Sequence, residues 1–242
     1  MSQAFDLGGS RVLIAGAASG IGAAAAAACA SMGATAILAD VADCRGTAAI
    51  IHAAGGHAEV SQCDITDRSA VEALVAAHVP LDAMVASAAI CPWDDWNDAR
   101  WDETFARVIA TDLLGPIHLC RAVLPQMAAR GGGRIVLVGS LAGRSGGLIA
   151  GAHYVAAKGG LHAFVRWLAR RAAPQRVLVN AVAPASVKTP MMQGQPVDLA
   201  RIPLGRMAEP EEVGWPIAFL CSRAASFITG VVLDVNGGVL MA

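Results

Sequence analysis

Tyr154 is the only tyrosine in the chain, and Lys158 follows it four residues later. On a helix this spacing places both side chains on one face. A phenol ionises near pH ~10 in water, and a neighbouring cation favours its phenolate. Such a pair, helped by the positive charge of an oxidised nicotinamide, makes a general base for an alcohol proton and a general acid for the reverse direction. The hydroxyl of Ser140, just beyond the apolar run Ile135–Val138, is placed to hold the substrate oxygen. Spacing alone also describes an ordinary surface Tyr/Lys pair, so the chemical reading depends on what the rest of the chain builds.

The partner for that chemistry is written near the start. The run Ala15-Gly16-Ala17-Ala18-Ser19-Gly20-Ile21-Gly22 follows a short apolar strand and precedes an alanine-rich helix. Glycines spaced G-x-x-x-G-x-G let the backbone turn tightly and approach a pyrophosphate, which then faces the N–H groups and positive dipole end of the helix. The next strand ends at Asp40, eighteen positions beyond Gly22. An acid there accepts hydrogen bonds from the adenosine ribose hydroxyls and repels the additional phosphate of NADP. The first arginine after Asp40 is Arg45. NAD is therefore the expected cofactor. The plain alternatives are a structural turn at the glycines and a helix-capping role for Asp40.

Seven short apolar runs recur along the chain: Val12–Ala15, Ala36–Ala39, Ala58–Gln62, Ala83–Ser87, Ile135–Val138, Val177–Val182 and Val231–Val235. Helix-length segments separate them. This alternation predicts an α/β fold, a doubly wound parallel sheet with helices on both faces. Trp101 to Arg130 reads as a long helix kinked near Gly115-Pro116, because Pro116 has no N–H to donate. Ala152 to Ala172 reads as a second. The Pro-, Met- and Gly-rich stretch 184–210 reads as an ordered substrate loop. One dinucleotide-binding and catalytic domain is expected over 1–242.

Composition narrows the function classes. Hydrophobic residues are 55% and charged residues 15% of the 242, with a net charge of -1. No basic field points to nucleic acid or to an anionic membrane. The uncharged stretch from Val12 to Ala39 is interrupted by glycines and reads as strand–turn–helix–strand, not as a membrane span. The six cysteines form no C-x-x-C pair and have no metal-ligand spacing with the six histidines, so reduced thiols and no metal are expected. No basic segment opens the chain, and a cytoplasmic location is expected.

Taken together these pieces resemble the short-chain dehydrogenase/reductase family, over essentially the whole length. The matching motifs are Gly16-x-x-x-Gly20-Ile21-Gly22, Cys63-Asp64-Ile65, Ser140, Tyr154-x-x-x-Lys158, Asn180-Ala181-Val182-Ala183-Pro184, Thr189-Pro190-Met191 and Asp234-Val235-Asn236-Gly237-Gly238. The resemblance implies a Rossmann sheet of seven parallel strands. It implies Asp64 and Ile65 at the adenine, Lys158 on the nicotinamide ribose, Val187 and Thr189 near the carboxamide, and Pro184 among the cofactor contacts. It also implies a homotetramer or homodimer, paired through the two long helices. Two departures stand out. Ala86-Ser87-Ala88-Ala89 replaces the usual Asn-Asn-Ala-Gly, and Asp112 stands where the family places a catalytic-tetrad Asn. Asp112 is thus a tetrad candidate, able to keep the helix kink but adding negative charge near Lys158.

By the same resemblance the substrate cleft involves Trp93, Leu148, His153 and Met191, with Trp96 and Met192 close by. Aromatic and Met walls favour apolar alcohols, whereas Asp94, Asp95, Asn97 and His153 would suit a polyol. The expected function is an NAD-dependent oxidoreductase interconverting a secondary alcohol, or polyol, and its ketone. An NADPH-dependent carbonyl reductase and a non-catalytic dinucleotide-binding scaffold are the alternatives.

Overall fold

The computed structural model describes residues 3–147 and 149–241. All seven expected strands are present: β1 (Arg11–Ala15), β2 (Thr35–Asp40), β3 (His57–Gln62), β4 (Ala83–Ala86), β5 (Gly133–Val138), β6 (Val177–Pro184) and β7 (Val232–Val235). They form one parallel sheet in the order β3-β2-β1-β4-β5-β6-β7. The order reverses between β1 and β4, which places a crevice at the carboxyl ends of those strands.

The helices between strands are α1 (Gly20–Ser31), α2 (Arg45–Ala53), α3 (Arg68–His78), α4 (Trp101–Ile109), α5 (Gly115–Ala129), α6 (Ala142–Ser145), α7 (Ala152–Ala172) and α8 (Pro210–Cys221). The central strands are apolar on both sides because both sides are covered. Along β1, Val12 and Ile14 join one core with residues of α1, α2 and α8. Leu13 and Ala15 join the other, with residues of α3, α5 and α7. This is why short continuous apolar runs, not alternating ones, marked the strands.

The long helix departs from expectation in one respect. It is not simply kinked at Gly115-Pro116. Ala110–Leu114 forms a π-helical turn between α4 and α5, in which the Gly115 N–H donates to the carbonyl of Ala110, five residues back. Pro116 follows in the first turn of α5. The widened turn directs Asp112 inward, where it is wholly buried, in keeping with the use of such bulges at functional sites. Together Trp101–Ala129 is long and apolar enough to cross a membrane. Here it lies against the sheet, with Leu119, Val123 and Met127 completely covered.

Close packing fixes α1, the helix that opens on the glycine loop. Its alanine face lets α8 approach so tightly that a Cβ on Gly214 would lie 2.9 Å from the backbone carbonyl of Ala24. Neither backbone can yield without moving a helix. Gly214→Val is expected to cost about 1–3 kcal/mol of stability by overpacking, measured by denaturant unfolding. A loss within experimental error would show that the two helices separate freely.

Candidate active site

A cleft of about 1230 Å³ runs along the carboxyl ends of the strands, from the glycine loop to the start of α7. Gly16, Ser19, Gly20, Ile21, Gly22, Asp40, Asp64, Ile65, Ser140, Tyr154, Lys158, Pro184, Val187 and Thr189 all line it, as do Trp93 and Met191. The sequence separates these residues widely, and the sheet topology gathers them.

At one end the backbone makes the cradle. A Cβ on Gly22 would sit 1.9 Å from the carbonyl oxygen of Gly16, and one on Gly16 would sit 2.3 Å from the amide nitrogen of Ala88. Both contacts are with main chain, so neither position admits a side chain. Helix α1 starts without a side-chain cap at Ser19 and has no acid in its first turn. Its unpaired N–H groups therefore open on the cleft, a fit for an anion such as a pyrophosphate. At the end of β2, Asp40 accepts the N–H of Ala18 at 3.1 Å and that of Ala42 at 3.0 Å, which holds its carboxylate at the cleft edge. Arg45 is turned to Asp43, at 2.7 Å. The Ser87 and Ala88 amides donate to the carbonyl of Ala15, so the backbone path after β4 survives without the two asparagines.

At the other end lie the titratable groups. Tyr154 and Lys158 share one face of α7, with the ammonium 5.3 Å from the centre of the phenol ring. The Lys158 Nζ donates to the carbonyl of Val138 at 3.2 Å and lies 3.2 Å from Asp112 Oδ2. The angle of the latter contact leaves it an ion pair short of a regular hydrogen bond. Asp112 Oδ1 accepts the N–H of Ile90 at 2.9 Å. Burial opposes the charge on Lys158, but Asp112 and the Tyr154 phenol outweigh it and hold the ammonium above its ordinary value. Burial also pushes the phenol of Tyr154 up; Lys158 pulls it down, Asp112 and Cys91 push it up again, and the nearby Ser140 favours ionisation, with the phenol held above its ordinary value. Cys91 lines the same cleft. Burial, then Asp112, pushes its thiol up to about 12, so it is no nucleophile at neutral pH.

Comparison with known proteins agrees with this geometry. A family model described as enoyl-(acyl carrier protein) reductase matches residues 16–240. A cis-4-hydroxycyclohexanecarboxylate dehydrogenase of Sinomonas cyclohexanicum is 41% identical, over 93% of this chain and 94% of its own. A 3-oxoacyl-[acyl-carrier-protein] reductase of Escherichia coli (strain K12) is 34% identical, over 96% and 98%. The solved structure of a putative NAD(P) dependent gluconate 5-dehydrogenase from Beutenbergia cavernae, with bound NADP, superposes with a TM-score of 0.92 at 33% identity, covering 99% of this chain and 100% of that one. The chain belongs to the short-chain dehydrogenase/reductase family. It is an oxidoreductase of that family, whose members use a nicotinamide cofactor.

Within this short-chain dehydrogenase, some expected substrate contacts fall elsewhere. His153 does not line the cleft; it is wholly buried and bonds to Asp94 at 2.7 Å. Asp94, Asp95 and Asn97, the other polar groups considered for a polyol, are also absent from the described lining. Trp96 is largely exposed and packs on Trp101. Asp112 lies beneath the cleft lining, against Lys158 and the backbone of Ile90. Leu148 lies outside the described residues.

Sequence reasoning missed His162. It lies four residues beyond Lys158, on the same helical face, and that spacing was the available signal. Its Nε2 accepts the backbone N–H of Ser140 at 3.4 Å, beneath the serine that faces Tyr154. A Cβ on Gly139 would meet this ring at 2.3 Å, so the glycine makes room for it. Burial, reinforced by Arg144, Arg166 and Lys158, lowers His162 from 6.5 to about 4. The unfolded chain then binds this proton at a higher pH than the fold does, so stability falls as pH drops from 6.5 towards about 4. The loss is expected to reach roughly 3 kcal/mol. His162→Gln should flatten the dependence in denaturant unfolding across that range. An identical slope in both proteins would assign the acid sensitivity elsewhere.

Proposed function

We propose that this enzyme oxidises a cyclic or otherwise apolar secondary alcohol to its ketone, and reverses the reaction, with NAD. The observation that carries the reading is the buried Tyr154–Lys158 pair, lining with Ser140 one end of a cleft that begins at the glycine loop. In this reading the Ser140 hydroxyl donates to the substrate oxygen and fixes the carbinol beside the phenol. Tyr154, as phenolate, takes the hydroxyl proton in oxidation and returns it in reduction. Lys158 keeps the phenolate accessible through its charge and holds the nicotinamide ribose. Oxidised nicotinamide, when bound, supplies the acceptor for the two electrons and hydrogen that leave the carbinol carbon. Glycines 16, 20 and 22, with Ser19 and Ile21, bind the pyrophosphate; Asp64 and Ile65 bind the adenine; Pro184, Val187 and Thr189 bind the carboxamide.

Two features support the finer choices. Asp40 is held at the cleft edge at the end of β2, where in this reading it meets the adenosine ribose, and the nearest following arginine, Arg45, pairs with Asp43. This favours NAD over NADP, and with it the dehydrogenase over an NADPH-dependent reductase. The lining beyond Ser140 and Tyr154 includes the apolar side chains of Ile90, Trp93, Ile149, Met191 and Met192, with Arg107 and Thr111 among its polar members. It suits a ring such as the cyclohexanol of the relative from Sinomonas cyclohexanicum better than a polyol. The half-exposed Trp167 on α7, stacked on Phe164, supports a homotetramer or homodimer formed through the long helices.

An alcohol panel headed by cis-4-hydroxycyclohexanecarboxylate and cyclohexanol, followed by formation of reduced cofactor, tests the activity. Tyr154→Phe should lose about 10²–10⁴-fold in kcat while still binding NAD. Near-normal turnover would refute the assigned base. Asp112→Asn removes the anion that pushes the phenol up, while the Val138 carbonyl and the phenolate remain as partners of the Lys158 ammonium, so the ascending limb of the oxidation profile should move to lower pH. A limb displaced to higher pH would show instead that Asp112 acts on the base mainly by keeping Lys158 charged.

Cofactor choice has its own test. Asp40→Ser should narrow the preference for NAD over NADP by relieving repulsion of the 2′-phosphate. Equal kcat/KM for both cofactors in the unaltered enzyme would contradict the assignment of Asp40.

A further inference from the structure

Helix α7 begins at a residue that cannot cap it. Gly151 has no side chain, and no acid lies in the first turn. The N–H groups of that turn need acceptors, and one of them belongs to Tyr154. The ring of His153 folds back to meet it: Nδ1 accepts the Tyr154 N–H at 2.7 Å. The fold-back requires Gly151, where a Cβ would sit 2.7 Å from the imidazole. Because the backbone N–H is the donor, Nδ1 carries the lone pair and Nε2 carries the proton. Nε2 therefore donates to Asp94 Oδ1, also at 2.7 Å. His153 has no exposed surface, and its ring stacks on Trp101 with centroids 6.0 Å apart and planes 22° from parallel. Asp94 belongs to the segment between β4 and α4, directly after Trp93 of the cleft wall. A carboxylate from that segment thus supplies, through an imidazole, the negative charge that a helix N-terminus favours.

We propose that Asp94 and His153 are a positioning pair that caps the helix carrying Tyr154 and fastens the Trp93 wall of the cleft to it, setting substrate fit. The inference rests on the reading of Tyr154 as the base and of Trp93 as substrate wall. It gives His153, which sequence reasoning had placed against substrate, a task one residue removed. The pyrophosphate and adenosine end of the cleft is built from β1, α1, β2 and the turn after β3, away from the pair, and of the cofactor contacts only Tyr154 and Lys158 lie on the capped helix. Severing the pair should therefore weaken substrate recognition more than cofactor binding.

The test compares Asp94→Ala with Asp94→Asn, which keeps an acceptor for Nε2–H. Amide hydrogen exchange is read at Tyr154 and over residues 90–100, and NAD affinity is measured in parallel. Nitrogen NMR of the histidines, at mildly alkaline pH, should show a neutral imidazole protonated on Nε2 for His153 in the unaltered enzyme. Asp94→Ala should speed exchange at Tyr154 and in the segment by about tenfold or more, with NAD affinity within about twofold of normal. Asp94→Asn should recover most of the protection. For whichever panel alcohol turns over, Asp94→Ala should raise KM about tenfold while lowering kcat less, as expected for loss of one buried polar partner. Unchanged exchange in Asp94→Ala, NAD affinity that falls as far as substrate affinity, or an Nδ1-protonated His153 would overturn the proposal. Exchange, NMR and NAD affinity need no turnover, so failure of the positioning pair is distinguishable from failure of the assigned reaction.

Discussion

Lys158 and Asp112 meet at 3.2 Å with almost no access to solvent, and the rest of the site is arranged around that contact. Either charge alone at this depth would cost several kcal/mol, and removing one partner would leave the other uncompensated. The pair is tolerable because each member has further partners: the Val138 carbonyl for the ammonium and the Ile90 amide for the carboxylate. Those partners come from the end of β5 and from the segment that follows β4. The ion pair therefore ties the catalytic helix α7, the π turn between α4 and α5, and those two stretches into one unit. Helix α7 holds the Tyr154 phenol, and the short connection at the end of β5 holds the Ser140 hydroxyl over His162, so the site is organised before its ligands arrive.

The same constraint governs the electrostatics. Burial opposes ionisation of Tyr154, and Asp112 adds to that opposition. Lys158 is the counterweight, and it remains charged because Asp112 is there. An acid in place of the family's usual asparagine thus acts on the base in two opposite ways. It preserves the cation that favours phenolate and adds an anion that disfavours it. The positive charge of an oxidised nicotinamide would shift this balance towards phenolate, which couples the readiness of the base to the presence of cofactor. Around this charged centre the structure keeps its other groups neutral. His162 is a neutral acceptor under Ser140, and Cys91 is a protonated thiol.

Much of the fold was legible because its signals are local. Seven apolar runs mark seven strands, and the glycine spacing marks the one turn where backbone must approach backbone, seen between Gly22 and Gly16. The span Ala152–Ala172 was read without error because Gly151 and Pro174 bound an uninterrupted helical pattern. What escaped was set by contacts distant in sequence. Pro116 suggested a kink at its own position, but the helix deforms earlier, where Asp112 can reach Lys158 on another helix and Ile90 after β4. His153 looked like a cleft residue because a histidine next to a candidate base is polar and accessible by default. Its partner Asp94, 59 positions away, buries it instead. Only the three-dimensional arrangement tells a polar residue that faces substrate from one that braces the wall behind it.

Because Tyr154 is the only tyrosine, the absorbance of phenolate reports its ionisation without interference from a second phenol. A spectroscopic pH titration of the enzyme, with and without saturating NAD, is the most direct test of the central claim. A phenol buried beside the Lys158–Asp112 pair should ionise above its ordinary value of 10.0 in the free enzyme and at distinctly lower pH once the oxidised cofactor is bound. A phenol that titrates at the ordinary value in the free enzyme, or that does not respond to cofactor, would contradict the claim that this buried ion pair and the nicotinamide together set the base.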